Sequence, residues 1–245
     1  MIAVYDNIAQ LYKNFKKLPV RQHVSTYTYF HLIGELAGKT ILDLACGEGF
    51  YTRKFKHRGA IQVVGVDISE EMLKLAQQEE AREPLGIEYI VGDVIELKKI
   101  GHFDLVLASY LLNHAQTKEQ LLKMCQCIYA NLKLGARFVS INNNSEQPPD
   151  SYHKMEKYGF IKSISSPLQE GTPITITLSV DGQQFSFDDY YLSKATYEWA
   201  FKSVGFKEIR WHPPMVSHEG VQEFGQEYWL DFLDYPPLVG IECVK

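Results

Sequence analysis

The nine residues ILDLACGEG, at positions 41–49, decide the fold class of this sequence. A short, mostly apolar run at 40–45 leads directly into two glycines that are separated by one residue. Glycine at such a turn lets the backbone approach a ligand closely, and the helix that follows offers its unpaired amide groups to that ligand. In open α/β sheets the ligand crevice lies at the carboxyl ends of the strands, near this first turn. Because a G-x-G pair alone is a weak signal, the surrounding sequence must identify the ligand.

Strand-like and helix-like segments alternate on the carboxyl side of this turn. Helix-length segments at 50–58, 70–82 and 117–130 separate apolar runs, and Ser69 and Thr117 stand where a side chain can cap a helix. Strands that alternate with helices of this length indicate a parallel, doubly wound α/β sheet. The further predicted strands are 62–66, 87–91, 103–108, 137–142, 207–211 and 240–244, and the further predicted helices are 3–16, 23–36 and 194–204.

The segment 143–192 interrupts this alternation. It contains the runs TPITITLSV and QQFSFDDYYL on either side of Asp181-Gly182, a dipeptide that is typical of a tight hairpin turn. The sequence therefore predicts a small antiparallel β insertion. We expect one domain, 1–245, with a helical cover at 1–36, a ligand-binding core at 37–142, the insertion at 143–192 and a closing segment at 193–245.

Composition excludes several classes of protein. Of the 245 residues, 45% are hydrophobic and 22% are charged, which is typical of a globular protein and excludes a largely disordered chain. The formal net charge of −5 leaves no basic surplus for a phosphate backbone, so it disfavours nucleic acid as a partner. Four scattered cysteines, no signal-peptide pattern and no long apolar run predict a cytoplasmic protein without a membrane segment. The histidines and cysteines have no spacing that indicates a metal site.

Acidic residues follow two of the predicted strands. Asp67 ends the second strand, where a carboxylate can accept hydrogen bonds from both hydroxyls of a ribose. Asp93, within Gly92-Asp93-Val94 after the third strand, is suited to an adenine amino group. Each acid alone could be a helix cap or a turn former, but their order and spacing support one another. A dinucleotide-binding dehydrogenase is disfavoured because Thr52 stands where that fingerprint needs a third small residue.

The stretches ILDLACGEG, VVGVDIS, GDV and FDLVLASYLLNH, in this order, resemble the class I S-adenosyl-L-methionine (SAM)-dependent methyltransferases over about residues 37–142. GEGFYTR, DISEEM and YWLDFLDYPP are similar to bacterial small-molecule methyltransferases of secondary metabolism, the group that contains the toxoflavin-pathway N-methyltransferase. The resemblance implies a Rossmann-like, mostly parallel seven-stranded sheet, with SAM as cofactor, S-adenosyl-L-homocysteine as product, and the insertion as a cap over the substrate.

The resemblance also implies roles for single residues. Ser109 and Tyr110 would face the methionine part of SAM, and Met72 would border the adenine unless it is plain helix core. The residues expected to bind the cofactor are Asp43, Ala45, Gly47, Gly49, Asp67, Ile68, Met72, Asp93, Val94 and Ser109. The candidate catalytic residues are His114 and Tyr110. His114 follows the fourth strand closely enough to act as a base, although a loop histidine bonded to the backbone is equally consistent with the sequence.

These features predict transfer of a methyl group to a nitrogen or oxygen of a small, aromatic or heterocyclic metabolite by a monomer or homodimer. An Asn-Pro-Pro-aromatic signature of base-modifying enzymes is missing after the fourth strand, which again disfavours nucleic acid. A carboxyl or hydroxyl O-methyltransferase and a non-catalytic SAM-binding regulator remain alternatives. Aromatic residues concentrate in the cover and the insertion, and they predict a lid over the acceptor: Tyr5, Tyr12, Tyr27, Tyr29, Phe185, Phe187, Tyr190 and Tyr191.

Overall fold

The computed structural model describes residues 18–180 and 182–245. The strands within this part of the chain are β1 (Thr40–Leu44), β2 (Gln62–Asp67), β3 (Glu88–Val91), β4 (Phe103–Ser109), β5 (Leu132–Asn143), β6 (Phe160–Ser163), β7 (Pro173–Val180), β8 (Gln183–Tyr190), β9 (Glu208–His212) and β10 (Leu238–Val244). The α-helices are α1 (Tyr27–Ile33), α2 (Phe50–His57), α3 (Glu70–Arg82), α4 (Lys118–Asn131), α5 (Lys194–Val204), α6 (His218–Phe224) and α7 (Leu230–Asp234).

Seven strands form one sheet in the order β3-β2-β1-β4-β5-β10-β9. The pairs among β1 to β5 are all parallel, and β10 is antiparallel to both β5 and β9. The chain leaves β1 towards β2 and β3 and later returns to the other side of β1 as β4. This reversal places a topological switch point between β1 and β4, which is where open α/β sheets bind ligands. The predicted doubly wound, mostly parallel seven-stranded sheet is confirmed.

Alternating side chains of the strands bury two opposite faces of the sheet. Leu42 and Val106 pack in the cluster that contains α4 and α5, whereas Ile41 and Leu107 pack in the cluster that contains α1 and α2. Because both faces are covered, the strands are nearly continuous apolar runs, as is usual for a parallel sheet. Serine or threonine side chains cap four of the helices: Ser69 for α3, Thr117 for α4, Ser193 for α5 and Ser217 for α6.

The first described helical segment differs from its prediction. Residues 23–36 were expected as one helix, but Arg21–Thr26 is π-helical and only Tyr27–Ile33 is α-helical, with Gly34 at a positive φ of 72° as its end. Tyr29 is fully buried, with its ring 5.1 Å from that of Tyr51, so it belongs to the core and not to a lid. Tyr27 is exposed beside His31. The predicted helix 3–16, with Tyr5 and Tyr12, lies outside the described residues.

The insertion is an antiparallel sheet of three strands in the order β6-β7-β8. Strands β7 and β8 are the predicted hairpin, and Gly182 in its turn has a φ of 75°, as expected for this position; Asp181 is outside the described residues. The third strand, β6, was not predicted. Tyr152 and Phe185 pack with apolar residues of β7, so the insertion has a small core of its own.

Two strands begin a few residues earlier than the sequence predicted, because hydrogen-bonded pairing with a neighbouring strand decides where a strand begins. Strand β5 starts at Leu132 instead of 137, since Leu132 pairs with Phe103 before a register shift at which β5 carries the extra residues. Strand β10 starts at Leu238 instead of 240, opposite Asn143. No helix in the described ranges is long and apolar enough to cross a membrane.

Gly49 occupies the tightest part of the turn between β1 and α2. Its φ is +81°, and a Cβ atom there would collide with the Tyr89 hydroxyl and lie 3.3 Å from the Ala76 Cβ. Gly38 has a similar φ of +75°, but nothing lies within 4 Å of a Cβ built on it. Substituting each glycine therefore distinguishes the energetic cost of a side chain in the left-handed backbone conformation from the cost of a steric clash with neighbouring side chains.

We expect Gly49→Ala to lower the free energy of unfolding more than Gly38→Ala does. Gly38→Ala should cost about 1–2 kcal/mol for the left-handed backbone alone. Gly49→Ala should cost about 1–3 kcal/mol more, because the packed neighbours must move. Urea unfolding of both variants measures the difference, and equal losses would contradict a role for Tyr89 in packing this turn.

Candidate active site

A cleft of about 1220 Å³, counted with its open mouth, lies at the carboxyl ends of β1, β2 and β4. It brings together ten of the predicted site residues: Ala45, Gly47, Asp67, Ile68, Met72, Asp93, Val94, Ser109, Tyr110 and His114. Asp43 and Gly49 are not among its lining residues. Met72 is 2% exposed, so it contributes to the cleft wall and to the core at once.

The Asp67 carboxylate joins two turns at the edge of the sheet. Its Oδ2 accepts a hydrogen bond of 2.7 Å from the Gly47 amide, and its Oδ1 accepts one of 2.9 Å from the Ser69 amide. Hydrogen bonds to a charged group are stronger than those between neutral groups, so they hold this carboxylate in one orientation. Asp93 lies in the next turn, where its Oδ1 accepts from the Ile95 amide at 2.9 Å.

Asp43 lies behind the turn instead of in the cleft. It is 2% exposed, and its Oδ2 accepts a hydrogen bond of 2.6 Å from the Thr52 hydroxyl. This bond joins β1 to α2 beneath the glycine turn. Thr52, which argued against a dinucleotide site, therefore has a structural partner here. The expected role of Asp43 in cofactor binding stays a prediction.

Two residues of the cleft have strained backbones. Ala45 has a φ of 57° and Tyr110 has a φ of 61°, and they are the non-glycine residues with positive φ within the described ranges. Each follows the end of a strand at the switch point, β1 or β4. Such conformations cost about 1–3 kcal/mol and persist where the surrounding structure holds them, often at ligand sites. The Tyr110 amide donates to the Ile141 carbonyl at 2.8 Å, which helps to hold this turn.

His114 pairs with a carboxylate that the insertion supplies. Its Nδ1 lies 3.0 Å from the Oδ1 of Asp189 in β8, and the Asn143 side chain donates to Asp189 Oδ2 at 2.5 Å. Burial alone would lower the pKa of His114, but the Asp189 carboxylate outweighs it and raises the pKa above its ordinary value. The loop-histidine alternative does not describe this geometry, because the partner of Nδ1 is a carboxylate from another element.

A second cavity of about 560 Å³ lies between the cleft and the insertion. It shares Tyr110 and Phe187 with the cleft, so the two spaces have a common wall. Its remaining lining residues are Val20, Arg21, Ser25, Asn113, Asn143, Phe160, Lys162, Ile176, Leu178, Asp189, Phe232, Pro237 and Leu238. Of the aromatic residues predicted in the insertion, Phe187 and Tyr190 line a cavity, whereas Phe185 is in the core of the insertion.

The sequence prediction missed three residues of this region. Asp189 was noted only as one of two carboxylates in FSFDDYY, and the strand alternation that buries Asp189 and exposes Asp188 could have singled it out. Lys162 is in the unpredicted strand β6, and Asn113 was passed over beside His114. Nothing in the local sequence indicates that either residue lines a cavity.

Comparisons with known proteins agree with this geometry. Residues 41–135 match a family model described as a methyltransferase domain. Ubiquinone biosynthesis O-methyltransferase of Coxiella burnetii is 33% identical over 112 residues, which are 44% of this chain and 46% of that protein. The match thus spans about half the length of that relative. N-demethylindolmycin N-methyltransferase of Streptomyces griseus is 24% identical over 172 residues, which are 69% of this chain and 70% of that protein.

The fold has solved counterparts. The crystal structure of an S-adenosylmethionine-dependent methyltransferase from Mesorhizobium loti has a TM-score of 0.66 and 18% sequence identity to this chain. The alignment covers 94% of this chain and 100% of that chain. At 18% sequence identity, this similarity is evidence for a shared fold alone. Residues 41–135 thus match a methyltransferase domain, and the whole chain shares its fold with a solved SAM-dependent methyltransferase, in agreement with the resemblance seen in the sequence.

The pair of His114 and Asp189 leads to a test by titration. The raised pKa means that the pair stabilises the fold fully at low pH, and that this stability is lost as the pH rises through the pKa of folded His114. We expect NMR to find a His114 pKa above about 6.5, the value of an unperturbed histidine. Asp189→Asn should lower this pKa, because burial then acts without the opposing carboxylate. An unchanged pKa would contradict the pairing, and the remaining histidine signals serve as the internal control.

Proposed function

We propose that this protein uses SAM to methylate a nitrogen or oxygen atom of a small aromatic or heterocyclic metabolite. The observation that carries the proposal is the wall shared by the two cavities. A cleft with the residues expected for a nucleoside cofactor adjoins a mostly apolar cavity, and the His114–Asp189 pair lies where the two meet.

The chemistry of the cleft fits SAM. Within the described residues, its lining includes the carboxylates of Asp67, Asp93 and Asp188 but no lysine or arginine, which suits a cofactor with a net positive charge. Asp67 would hold the ribose hydroxyls, and Asp93 the adenine amino group, with Ile68 and Val94 against the adenine ring. When bound, SAM supplies an electrophilic methyl group on a cationic sulfur, so the protein itself needs mainly to align the acceptor and exclude water.

His114 would accept the proton that the acceptor loses. A proton on Nδ1, donated to Asp189, fixes the tautomer in which Nε2 carries the lone pair, so Nε2 is the basic atom. A hydroxyl acceptor would pass its proton to Nε2 as it takes the methyl group, whereas an ammonium acceptor would pass its proton to Nε2 beforehand, because only the neutral amine has a lone pair. In both cases Asp189 would stabilise the imidazolium. Tyr110 and Phe187, which border both cavities, would hold the acceptor in line.

Separate observations support nitrogen and oxygen as the atom that is methylated. The N-demethylindolmycin enzyme aligns with more of this chain than the ubiquinone-pathway O-methyltransferase does, which favours nitrogen. The histidine and aspartate pair favours any acceptor that must lose a proton, hydroxyl oxygen included, because a ring nitrogen with a lone pair needs no base. An O-methyltransferase therefore remains the second candidate. A regulator that binds SAM without catalysis would have no use for this pair.

The remaining expectations belong to the same proposal. We take residues 1–245 to act as one domain, as a monomer or homodimer, in the cytoplasm and in secondary metabolism, with a small molecule and not a nucleic acid as substrate. The insertion supports a small acceptor, since its residues Ile176, Leu178 and Phe187 line an apolar cavity that adjoins the cleft.

Calorimetry with SAM tests the cofactor. Asp67→Ala should weaken SAM binding at least about tenfold, because it removes charge-assisted hydrogen bonds worth about 1.5–3 kcal/mol each. Asp104→Ala is the matched control, since Asp104 also bonds a backbone amide, that of Thr40, but at the opposite edge of the sheet. That variant should lose stability and keep its SAM affinity. If wild-type protein does not bind SAM, the proposal is wrong.

Turnover of methyl-labelled SAM tests the base. With an acceptor found by screening phenols and amines, His114→Ala should lower kcat about 10²- to 10⁴-fold, the usual contribution of a positioned base. SAM affinity should stay within about twofold of wild type, because the variant changes proton transfer and not the ribose contacts. A normal kcat would show that the acceptor reacts without a protein base.

A further inference from the structure

The two cavities carry opposite charge. The cofactor cleft has the three carboxylates named above, whereas the part of the second cavity that the described residues line has two cationic side chains, Arg21 and Lys162, and one carboxylate, Asp189. Both oxygens of Asp189 have partners, His114 and Asn143, so this acid is already engaged. With Asp189 engaged, Lys162 is the side chain through which this cavity favours a ligand with a negative group.

Lys162 is built into the wall of this cavity. It is 5% exposed, and its Nζ donates to the Gln147 side-chain oxygen and to the Pro237 carbonyl, both at 2.9 Å. An ammonium has three donors, and the third has no hydrogen-bond partner within the described residues. Burial lowers the pKa of Lys162 to about 7, although Asp189 opposes the shift. A buried ammonium without a bonded carboxylate is costly to fold, so a ligand that pairs with it would gain affinity.

Asn113 adds a neutral polar group to the same wall. It is 2% exposed, and neither its Nδ2 nor its Oδ1 has a hydrogen-bond partner in the part of the chain that the structure describes. Buried amides are almost always paired, so an unpaired donor and acceptor at a cavity indicate that a ligand completes them. The rest of the wall, with residues such as Phe160, Ile176 and Phe232, is apolar.

We propose that the acceptor is an apolar, ring-containing molecule with a carboxylate or a similarly acidic oxygen group, which Lys162 binds while Asn113 hydrogen-bonds a polar edge of the ring. The inference rests on the proposed function and names its substrate class. Because Lys162 lines the second cavity and not the cofactor cleft, the anionic group is an anchor and the methylated atom is elsewhere on the molecule.

Matched pairs of small probes test this anchor. The probes are 2-naphthoate with 2-naphthamide and 4-hydroxyphenylacetate with 4-hydroxyphenylacetamide, titrated by calorimetry into protein saturated with S-adenosyl-L-homocysteine. We expect at least one carboxylate to bind at least tenfold more tightly than its amide at pH 6.5. Lys162→Met should bring this ratio close to one. Lys157→Met, which removes a lysine paired with Asp231 outside the cavity, should leave it unchanged.

A second measurement needs no variant. As the pH rises from 6.5 to 9, Lys162 loses its proton while the probe carboxylates stay ionised, so the preference for the carboxylate should fall. His114 and Asp189 also face this region, and Arg21 and the Tyr152 ring lie near Lys162. Because Asp189 raises the pKa of His114 above its ordinary value, the series is repeated with His114→Asn, in which the fall should persist.

Several outcomes would overturn the inference. They are equal affinity for carboxylate and amide, a preference that survives Lys162→Met in folded protein, and no binding of any carboxylate by protein that does bind S-adenosyl-L-homocysteine. Failure to bind S-adenosyl-L-homocysteine at all would instead contradict the proposed function, so the two failures are distinguishable.

Discussion

The carboxylate of Asp67 is the interaction on which the rest of the site depends. It holds the amide of Gly47 in the turn after β1 and the amide of Ser69 at the start of α3. Backbone bonds extend this connection, since the Cys46 amide donates to the Val66 carbonyl and the Gly92 amide to the Asp67 carbonyl. Three successive turns are thereby fixed to the end of one strand, and a rigid rim of this kind lets a small set of side chains keep the geometry that a ligand requires.

The second constraint is the connection between the sheet and the insertion. Asp189 belongs to β8, but its partners are His114, beyond the end of β4, and Asn143, at the end of β5. The insertion therefore does more than cover a cavity, because its central acid orients a residue of the core. Without this acid, His114 would lose the carboxylate beside its Nδ1 and the electrostatic effect that raises the pKa of the imidazole.

The core and the cofactor side could be predicted because their signals are local. Apolar runs, helix caps and glycine turns report on neighbouring residues, so β1, β2, α3 and the position of Asp67 follow from short stretches of sequence. The acceptor side depends on contacts between distant segments, and for that reason Lys162, Asn113 and the role of Asp189 were missed. Tyr29 illustrates the same limit, since an aromatic residue on a helix has the same local pattern whether it faces a cavity or packs against Tyr51 and Phe55.

The position of Asp189 on the hairpin of the insertion also affects how the sequence of such a protein can change in evolution. One short segment supplies apolar walls to the second cavity and a carboxylate partner to His114. Replacing that segment by recombination would alter the shape that selects a molecule and the proton affinity of His114 in a single event. If the proposed function holds, selectivity and reactivity are inherited as one module, whereas the turns that Asp67 holds at the end of the sheet can stay unchanged.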